Sequence, residues 1–167
     1  KKLINEGNDV YLICKVDNEN DRKRITDAGI KLYNVNFKRG FSSILIDFFH
    51  LIKIRKIINK IDPYVTEIAT IKPIIISGFL YKFNSRKVIF WLSGLGYIFT
   101  SQNLFIKILK QIIIKIYKYI FKNKKSKVII ENIEDKNFMI NLKAFSDLQS
   151  YVLPGSCVEL KNYLYVK

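Results

Sequence analysis

A six-residue apolar run, KVIFWL at residues 87–92, leads directly into a turn that contains two glycines, Gly94 and Gly96. A long helical pattern begins near Gln102, shortly after this turn. A buried strand, a glycine turn and a helix in this order are typical of an open α/β sheet, which binds ligands at the carboxyl ends of its strands. Glycines let backbone amides approach a bound group, and the start of a helix favours negative charge. This stretch is therefore the first candidate for a functional site.

Short apolar strands alternate with helical patterns along most of the chain. The predicted strands are residues 9–15, 30–36, 64–69, 87–92, 127–131 and 150–153. The predicted helices are residues 18–28, 43–61, 74–83, 102–122 and 134–145. Strands that follow one another through helices pair in parallel, through right-handed crossovers. The pattern predicts an α/β fold with a parallel sheet in a single domain.

The composition supports a packed domain with a strongly basic surface. The chain has 167 residues, 49% of them apolar, and carries a formal charge of +15 from 29 basic and 14 acidic side chains. This apolar fraction excludes a disordered segment. The excess of lysine accompanies an excess of isoleucine and asparagine, which is typical of low-GC genomes. The charge is therefore compatible both with a plain solvated surface and with a surface that meets anionic partners.

The sequence contains no self-contained catalytic constellation. The one histidine, His50, lies in a predicted helix, and the two cysteines, Cys14 and Cys157, are far apart in the chain. No cluster has metal-ligand spacing, no Ser/His/Asp order is assignable, and no GxxxxGK[ST] or GxGxxG motif is present. We therefore predict no metal site, leave the catalytic residues unknown, and expect Cys14 to be a small core residue in a reducing cytosol.

One uncharged stretch is long enough to raise the question of a membrane span. Residues 88–106 contain no charged side chain over 19 positions, close to the ~20 needed to cross a bilayer. Glycines and polar side chains interrupt this stretch, so a strand, a turn and a helix start explain it better. The chain opens without a signal peptide and without an initiator methionine, and we expect a cytoplasmic protein fragment.

Several stretches together resemble a known family. They are GNDV at residues 7–10, IKL to FKRG at residues 30–40, TIKP at residues 70–73, IFWLSGLGYIFT at residues 89–100, KVIIEN at residues 127–132 and LPGSCVE at residues 153–159. In this order they resemble the N-terminal half of bacterial glycosyltransferase family 4 enzymes. TIKP and SGLGY are the more specific stretches, and the likeness covers nearly the whole chain. Ser93 stands where a neighbouring branch of the family places a histidine.

The resemblance implies a Rossmann-like three-layer α/β domain, which is one half of a GT-B fold. Residues 1–153 would form the N-terminal acceptor domain without its first strand, and residues 154–167 would begin the interdomain linker. The C-terminal donor domain, which binds most of the nucleotide-sugar in the family, is expected but absent from this sequence. The nucleotide-sugar is then a substrate, and no cofactor is implied.

The likeness is greatest to the branch that acts on lipid-linked sugars in capsule, O-antigen and N-glycan assembly. It implies transfer of a hexosyl or N-acetylhexosaminyl group from a nucleotide-sugar to a lipid-linked saccharide at the inner membrane face. The chain is expected to be inactive alone. Two alternatives stay open: a basic α/β module that binds nucleic acid, supported by charge alone, and an inactive remnant of a transferase. The resemblance itself implies no nucleic-acid partner.

The loops that carry the resemblance also supply the candidate substrate-binding residues. These are Arg39, Thr70, Lys72, Ser93, Gly94, Gly96 and Tyr97. Lys72 would meet a phosphate of the acceptor or donor, and Arg39 would clamp a phosphate. The alternatives are a surface lysine, a solvated loop arginine and, for the glycines, a plain tight turn.

One further surface has two interpretations. Lysines and a glutamine recur at residues 107, 111, 115, 118 and 122 and form a polar stripe on an otherwise apolar helix. The stripe is either a solvated face or a peripheral contact with an anionic membrane.

Overall fold

The computed structural model of the protein describes residues 2–36, 44–82, 86–123 and 125–154. The chain divides into two compact units, Lys1–Asp62 and Pro63–Lys167, and each unit is described by itself. Arg39 and most of the predicted linker, residues 155–167, lie outside the described residues. The assignment of residues 1–153 to one acceptor domain stays a prediction.

The first unit contains a two-stranded parallel sheet with helices before, between and after its strands. Its elements are α1 (Lys2–Asn5), β1 (Tyr11–Cys14), α2 (Glu19–Asp27), β2 (Lys31–Asn34) and α3 (Ile44–Ile61). The two strands pair from Tyr11 opposite Lys31 to Cys14 opposite Asn34. Cys14 is a free thiol that is half-buried rather than fully buried, and burial raises its pKa above the ordinary value. The predicted alternation of helix and strand is confirmed here.

The second unit contains a four-stranded sheet that is parallel throughout. Its elements are β3 (Val65–Ala69), α4 (Ile71–Ser77), α5 (Phe79–Lys82), β4 (Lys87–Leu92), α6 (Gly96–Thr100), α7 (Leu104–Ile120), β5 (Ser126–Ile130), α8 (Ile133–Asn141), a 3-10 turn (Asp147–Gln149) and β6 (Ser150–Val152). The strands lie in the order β3-β4-β5-β6. Parallel sheets flanked by helices confirm the predicted α/β fold class.

Asparagine side chains begin three of the helices. Each accepts a hydrogen bond from a backbone amide in the first turn, which satisfies a donor that has no partner within the helix. The pairs are Asn18 with the amide of Asn20, Asn103 with that of Phe105 and Asn132 with that of Asp135. The cap at Asn103 explains why α7 begins at Leu104, two residues later than predicted.

The two faces of the four-stranded sheet are covered unequally. In β4, Val88, Phe90 and Leu92 are buried, whereas Ile89 and Trp91 are only half-buried. A sequential strand order with right-handed crossovers places the connecting helices on one face of a sheet. The strand predicted at residues 87–92 is confirmed, with the side chains of one face buried and Ile89 and Trp91 of the other half-buried.

Aromatic side chains form the centre of the buried face. The ring of Phe121, which follows α7, lies 5.0 Å from that of Phe90, 5.1 Å from that of Tyr117 and 5.6 Å from that of Phe145. Such ring pairs contribute roughly 0.5–1.5 kcal/mol each beyond the burial of their area. This cluster holds α7 against β4 and so fixes the position of the loop that lies between them in the chain.

One predicted helix is interrupted in the structure. The apolar helix expected over residues 74–83 begins earlier, at Ile71, and breaks at Gly78 between α4 and α5. Pro73 is thus the third helical residue, in the first turn, where a missing N–H is harmless. Among the described residues, no helix is both long and apolar enough to cross a membrane.

Candidate substrate-binding site

The candidate loops follow neighbouring strands of the four-stranded sheet. Ala69 of β3 lies opposite Trp91 of β4, and Leu92 of β4 lies opposite Ile130 of β5. Because the strands are parallel, their carboxyl ends meet at one edge of the sheet. The loops that begin at Thr70 and Ser93 therefore leave the sheet side by side.

Two observations show that these loops lie close together. The backbone amide of Thr70 donates a hydrogen bond of 3.0 Å to the carbonyl oxygen of Trp91. The Cδ1 atom of Ile71 lies 3.7 Å from the position that a Cβ atom on Gly96 would take. The structure therefore brings together the two segments, at residues 70–73 and 93–97, that carry six of the predicted substrate-binding residues.

Thr70 has a backbone conformation that a β-branched residue rarely adopts. Its φ is 72° and its ψ is 159°, in a region that is nearly restricted to glycine. Its side chain is exposed and makes no capping hydrogen bond to α4, so the side chain does not offset this strain. Strain of this kind costs roughly 1–3 kcal/mol and is concentrated at ligand sites. The strained residue lies at the edge of the sheet where ligands of α/β proteins bind.

The loop after β4 is a tight turn held by two buried side chains. The amide of Gly94 donates a hydrogen bond of 3.0 Å to the carbonyl oxygen of Leu92, and Gly94 and Gly96 have φ values of 71° and 64°. Leu95 and Ile98 are buried and anchor the loop. A Cβ atom on Gly94 would meet no other atom within 4 Å. The turn therefore exposes its backbone to open space, where a ligand can approach.

Lys72 lies in the first turn of α4, one residue after Ile71. Its side chain is half-buried, and it is the only cation of the predicted set among the described residues. The backbone amides of a first helical turn disfavour a cation, so the helix itself gains nothing from a lysine there.

The other predicted site residues are placed less fully. Ser93 is exposed beside Gly94, and Tyr97 is the second residue of α6, with its side chain outside the described part of the chain. Arg39 is not described. His50 is a half-buried residue of α3 in the first unit.

A third loop at this edge was not among the predicted site residues. Asn132 follows β5 and Glu131, and it binds Asp135 twice: its Oδ1 accepts from the Asp135 amide at 2.7 Å, and its Nδ2 donates to the Asp135 carboxylate at 3.0 Å. An asparagine directly after an apolar strand is a helix-start pattern, which would have located this loop. Within the described ranges, no group of three His, Cys, Asp or Glu residues stands together as metal ligands do.

These features define a Rossmann-like α/β protein with its candidate site at the carboxyl edge of a parallel sheet. The chain belongs to the family described as Glycosyl transferase 4-like, which matches residues 1–132. No curated protein matches the chain. Membership places the chain among the glycosyltransferase 4-like proteins, and glycosyltransferases in general use a nucleotide-sugar and an acceptor as substrates.

Proposed function

We propose that the chain is the acceptor-binding part of a transferase that moves a sugar from a nucleotide-sugar to a lipid-linked saccharide. The edge formed by residues 70–73 and 93–97 would bind the acceptor, and a C-terminal domain would bind the donor. The product would be a surface polysaccharide or glycan precursor, such as lipopolysaccharide, made at the inner face of the membrane.

The observation that supports the proposal is the proximity of the two loops. Thr70 donates a hydrogen bond of 3.0 Å to Trp91, and Ile71 lies 3.7 Å from the Cβ position of Gly96, so the segment that carries Lys72 lies beside the glycine loop. An ammonium group and accessible backbone amides are the groups that bind phosphate oxygens in α/β proteins. A lipid-linked saccharide carries its sugar on a phosphate or diphosphate, which is the chemistry that this edge suits.

The role of this chain in the reaction would be binding and orientation. Lys72 would neutralise a phosphate of the acceptor, and the backbone at Gly94 and Gly96 would lie against the saccharide or its diphosphate. Charge that develops in sugar transfer would be stabilised by the two domains together. The chain supplies no assigned catalytic base, so transfer would require the donor domain.

The test is a binding measurement with a soluble acceptor analogue. A short-chain prenyl diphosphate carrying N-acetylglucosamine is titrated into the whole chain, and the same is done with the corresponding nucleotide-sugar. We expect the acceptor analogue to bind and Lys72→Gln to weaken it by tenfold or more, because charge-assisted hydrogen bonds contribute about 1.5–3 kcal/mol. Lys125→Gln, at an exposed lysine of the same unit, is the matched control.

Two results would contradict the proposal. Equal binding by Lys72→Gln and wild type would remove Lys72 from the site. Salt-sensitive binding to a DNA or RNA duplex, without binding of the acceptor analogue, would favour the nucleic-acid alternative. Transfer by this chain without a partner would disprove only the requirement for a donor domain.

A further inference from the structure

The solvent-facing side of α7 carries a set of exposed apolar side chains and a set of exposed lysines. The apolar row is Leu104, Phe105, Ile108 and Ile112, with 76%, 72%, 56% and 49% of each residue exposed. The lysine row is Lys107, Lys115 and Lys122, the last just beyond the helix, and all three are exposed. Residues that are three, four, seven or eight positions apart lie on the same side of a helix, and the members of each row are related by these spacings.

The apolar row is not needed to hold α7 in the fold. The opposite side of the helix already packs into the core through Ile113, Ile114, Tyr117 and Ile120. Burial of apolar surface stabilises a protein by about 25 cal/mol for every Å². The large apolar side chains of this row are left in water and do not contribute that stabilisation. Contiguous apolar surface of this kind marks an interaction site.

The charge beside the apolar row indicates the kind of partner. The segment Leu104–Ile120 contains lysines and no acidic residue, and the whole chain carries a formal charge of +15. Large apolar side chains beside lysines are typical of helices that lie in a membrane interface, where the lysine ammonium reaches anionic headgroups. We propose that the apolar row and the lysine row of α7 dock on the surface of an anionic lipid bilayer.

The position of α7 makes such docking relevant to the candidate site. Lys110 donates a hydrogen bond of 3.2 Å to the carbonyl oxygen of Phe99, which ties α7 to α6 and so to the loop at Ser93. The two most exposed apolar residues, Leu104 and Phe105, are the first two of α7, nearest to that loop in the chain. Docking through them would bring this edge of the sheet to the membrane. The docking proposal itself rests on α7 and not on the proposed transferase reaction.

The test is co-sedimentation of the whole chain with vesicles of phosphatidylcholine alone and of phosphatidylcholine mixed with phosphatidylglycerol. We expect binding only to the mixed vesicles, and weaker binding at high salt. The double variant Lys107→Gln, Lys115→Gln should bind the mixed vesicles roughly 25-fold more weakly. Each lysine near an anionic surface contributes about 1 kcal/mol to binding, which is about fivefold in affinity. Lys2→Gln with Lys23→Gln, exposed lysines of the other unit, removes the same charge as a control.

A second pair of variants tests the apolar row. The double variant Phe105→Ser, Ile108→Ser should abolish vesicle binding. The control double variant Leu3→Ser, Leu148→Ser changes two other exposed leucines and should preserve it. Circular dichroism and sedimentation velocity establish that each variant is folded and report its oligomeric state. Equal binding by the α7 variants and their controls would overturn the proposal. A second result would also overturn the proposal: a wild-type dimer that becomes a monomer in the double variant Phe105→Ser, Ile108→Ser, with vesicle binding unchanged. The apolar row would then bind a second copy of the chain.

Discussion

The backbone amide of Thr70 donates a hydrogen bond of 3.0 Å to the carbonyl oxygen of Trp91. This bond continues the pairing of β3 with β4 by one residue beyond Ala69, and it does so with Thr70 at a positive φ of 72°. The chain therefore turns into α4 immediately at the sheet edge, so that Lys72 is in the first helical turn beside the glycine loop. The geometry of the candidate site depends on this turn.

The strain at Thr70 predicts that glycine stabilises this position. We expect Thr70→Gly to raise the free energy of unfolding by about 1 kcal/mol, because relief of roughly 1–3 kcal/mol of backbone strain exceeds the entropy cost of a glycine. Urea denaturation measures the change. Thr66→Gly is the matched control within β3: it loses the hydrogen bond of 2.9 Å from the Tyr81 hydroxyl and should be destabilising. A similar loss of stability in both variants would show that Thr70 is not strained.

Two glycines of the second unit should respond to alanine for different reasons. Gly94→Ala should cost about 1–2 kcal/mol, because its φ of 71° disfavours any Cβ although the space around it is open. Gly78→Ala should cost roughly 1–3 kcal/mol, because the new Cβ would lie 2.5 Å from the carbonyl oxygen of Ile74 and 2.8 Å from the Cδ1 and Cγ2 atoms of Ile120.

A second substitution separates these two causes. Ile120→Ala removes the two side-chain atoms that Gly78→Ala would strike and leaves the Ile74 carbonyl oxygen in place, so the double variant should lose less stability than the sum of its single changes but should not recover all of the loss. The pair Gly94→Ala with Ile120→Ala should be additive. Double-mutant cycles in urea measure both couplings, and equal couplings would contradict the steric explanation for Gly78.

Two buried tyrosines should respond in opposite directions when the hydroxyl is removed. The Tyr117 hydroxyl is buried and has no hydrogen-bond partner among the described residues, whereas the Tyr81 hydroxyl bonds the Thr66 hydroxyl. Tyr117→Phe should raise the free energy of unfolding by about 1 kcal/mol, because an unsatisfied polar group costs about 1–3 kcal/mol to bury. Tyr81→Phe should lower it by a similar amount. Destabilisation by both changes would show that Tyr117 has a partner.

The same tyrosine predicts a loss of stability at alkaline pH. Burial raises the pKa of Tyr117 well above the ordinary value of 10.0. Above that pH the unfolded chain releases a proton that the folded chain keeps, so the free energy of unfolding falls as pH rises. Tyr117→Phe should reduce this fall in urea titrations performed on either side of pH 10.0. An unchanged slope would exclude Tyr117 as its source.

The turn between α7 and β5 depends on one glutamine. The Nε2 atom of Gln149 lies 2.9 Å from the carbonyl oxygen of Phe121, 3.0 Å from that of Asn123 and 2.6 Å from the hydroxyl of the buried Ser126. Gln149→Ala should lower the free energy of unfolding by about 1–3 kcal/mol, because it leaves part-buried acceptors unsatisfied. Gln111→Ala, at an exposed position of α7, should change it by less than about 0.5 kcal/mol. Equal effects in thermal unfolding would contradict this role.

Local patterns were enough to predict the order of the elements. The helical period, the apolar runs and the turn residues act within a few positions, so they identified each strand of the described residues near its observed place. The boundaries were less accurate where a side chain decides them, as at Asn103, which begins α7 two residues later than its apolar pattern. The likeness at TIKP and SGLGY located the two loops of the candidate site, which the structure brings into contact.

The sequence by itself determined the α/β class and the parallel pairing, because strands joined through helices have few other arrangements. Only the tertiary structure decided which apolar residues are covered. Helical period places Ile112 and Ile113 on neighbouring sides of α7, and it is the neighbouring elements that bury Ile113 and leave Ile112 half in water. The positive φ of Thr70 likewise arises because its amide bonds the carbonyl oxygen of Trp91 while the next residue already begins α4. That hydrogen bond joins residues that are distant in the sequence, so local patterns do not predict it.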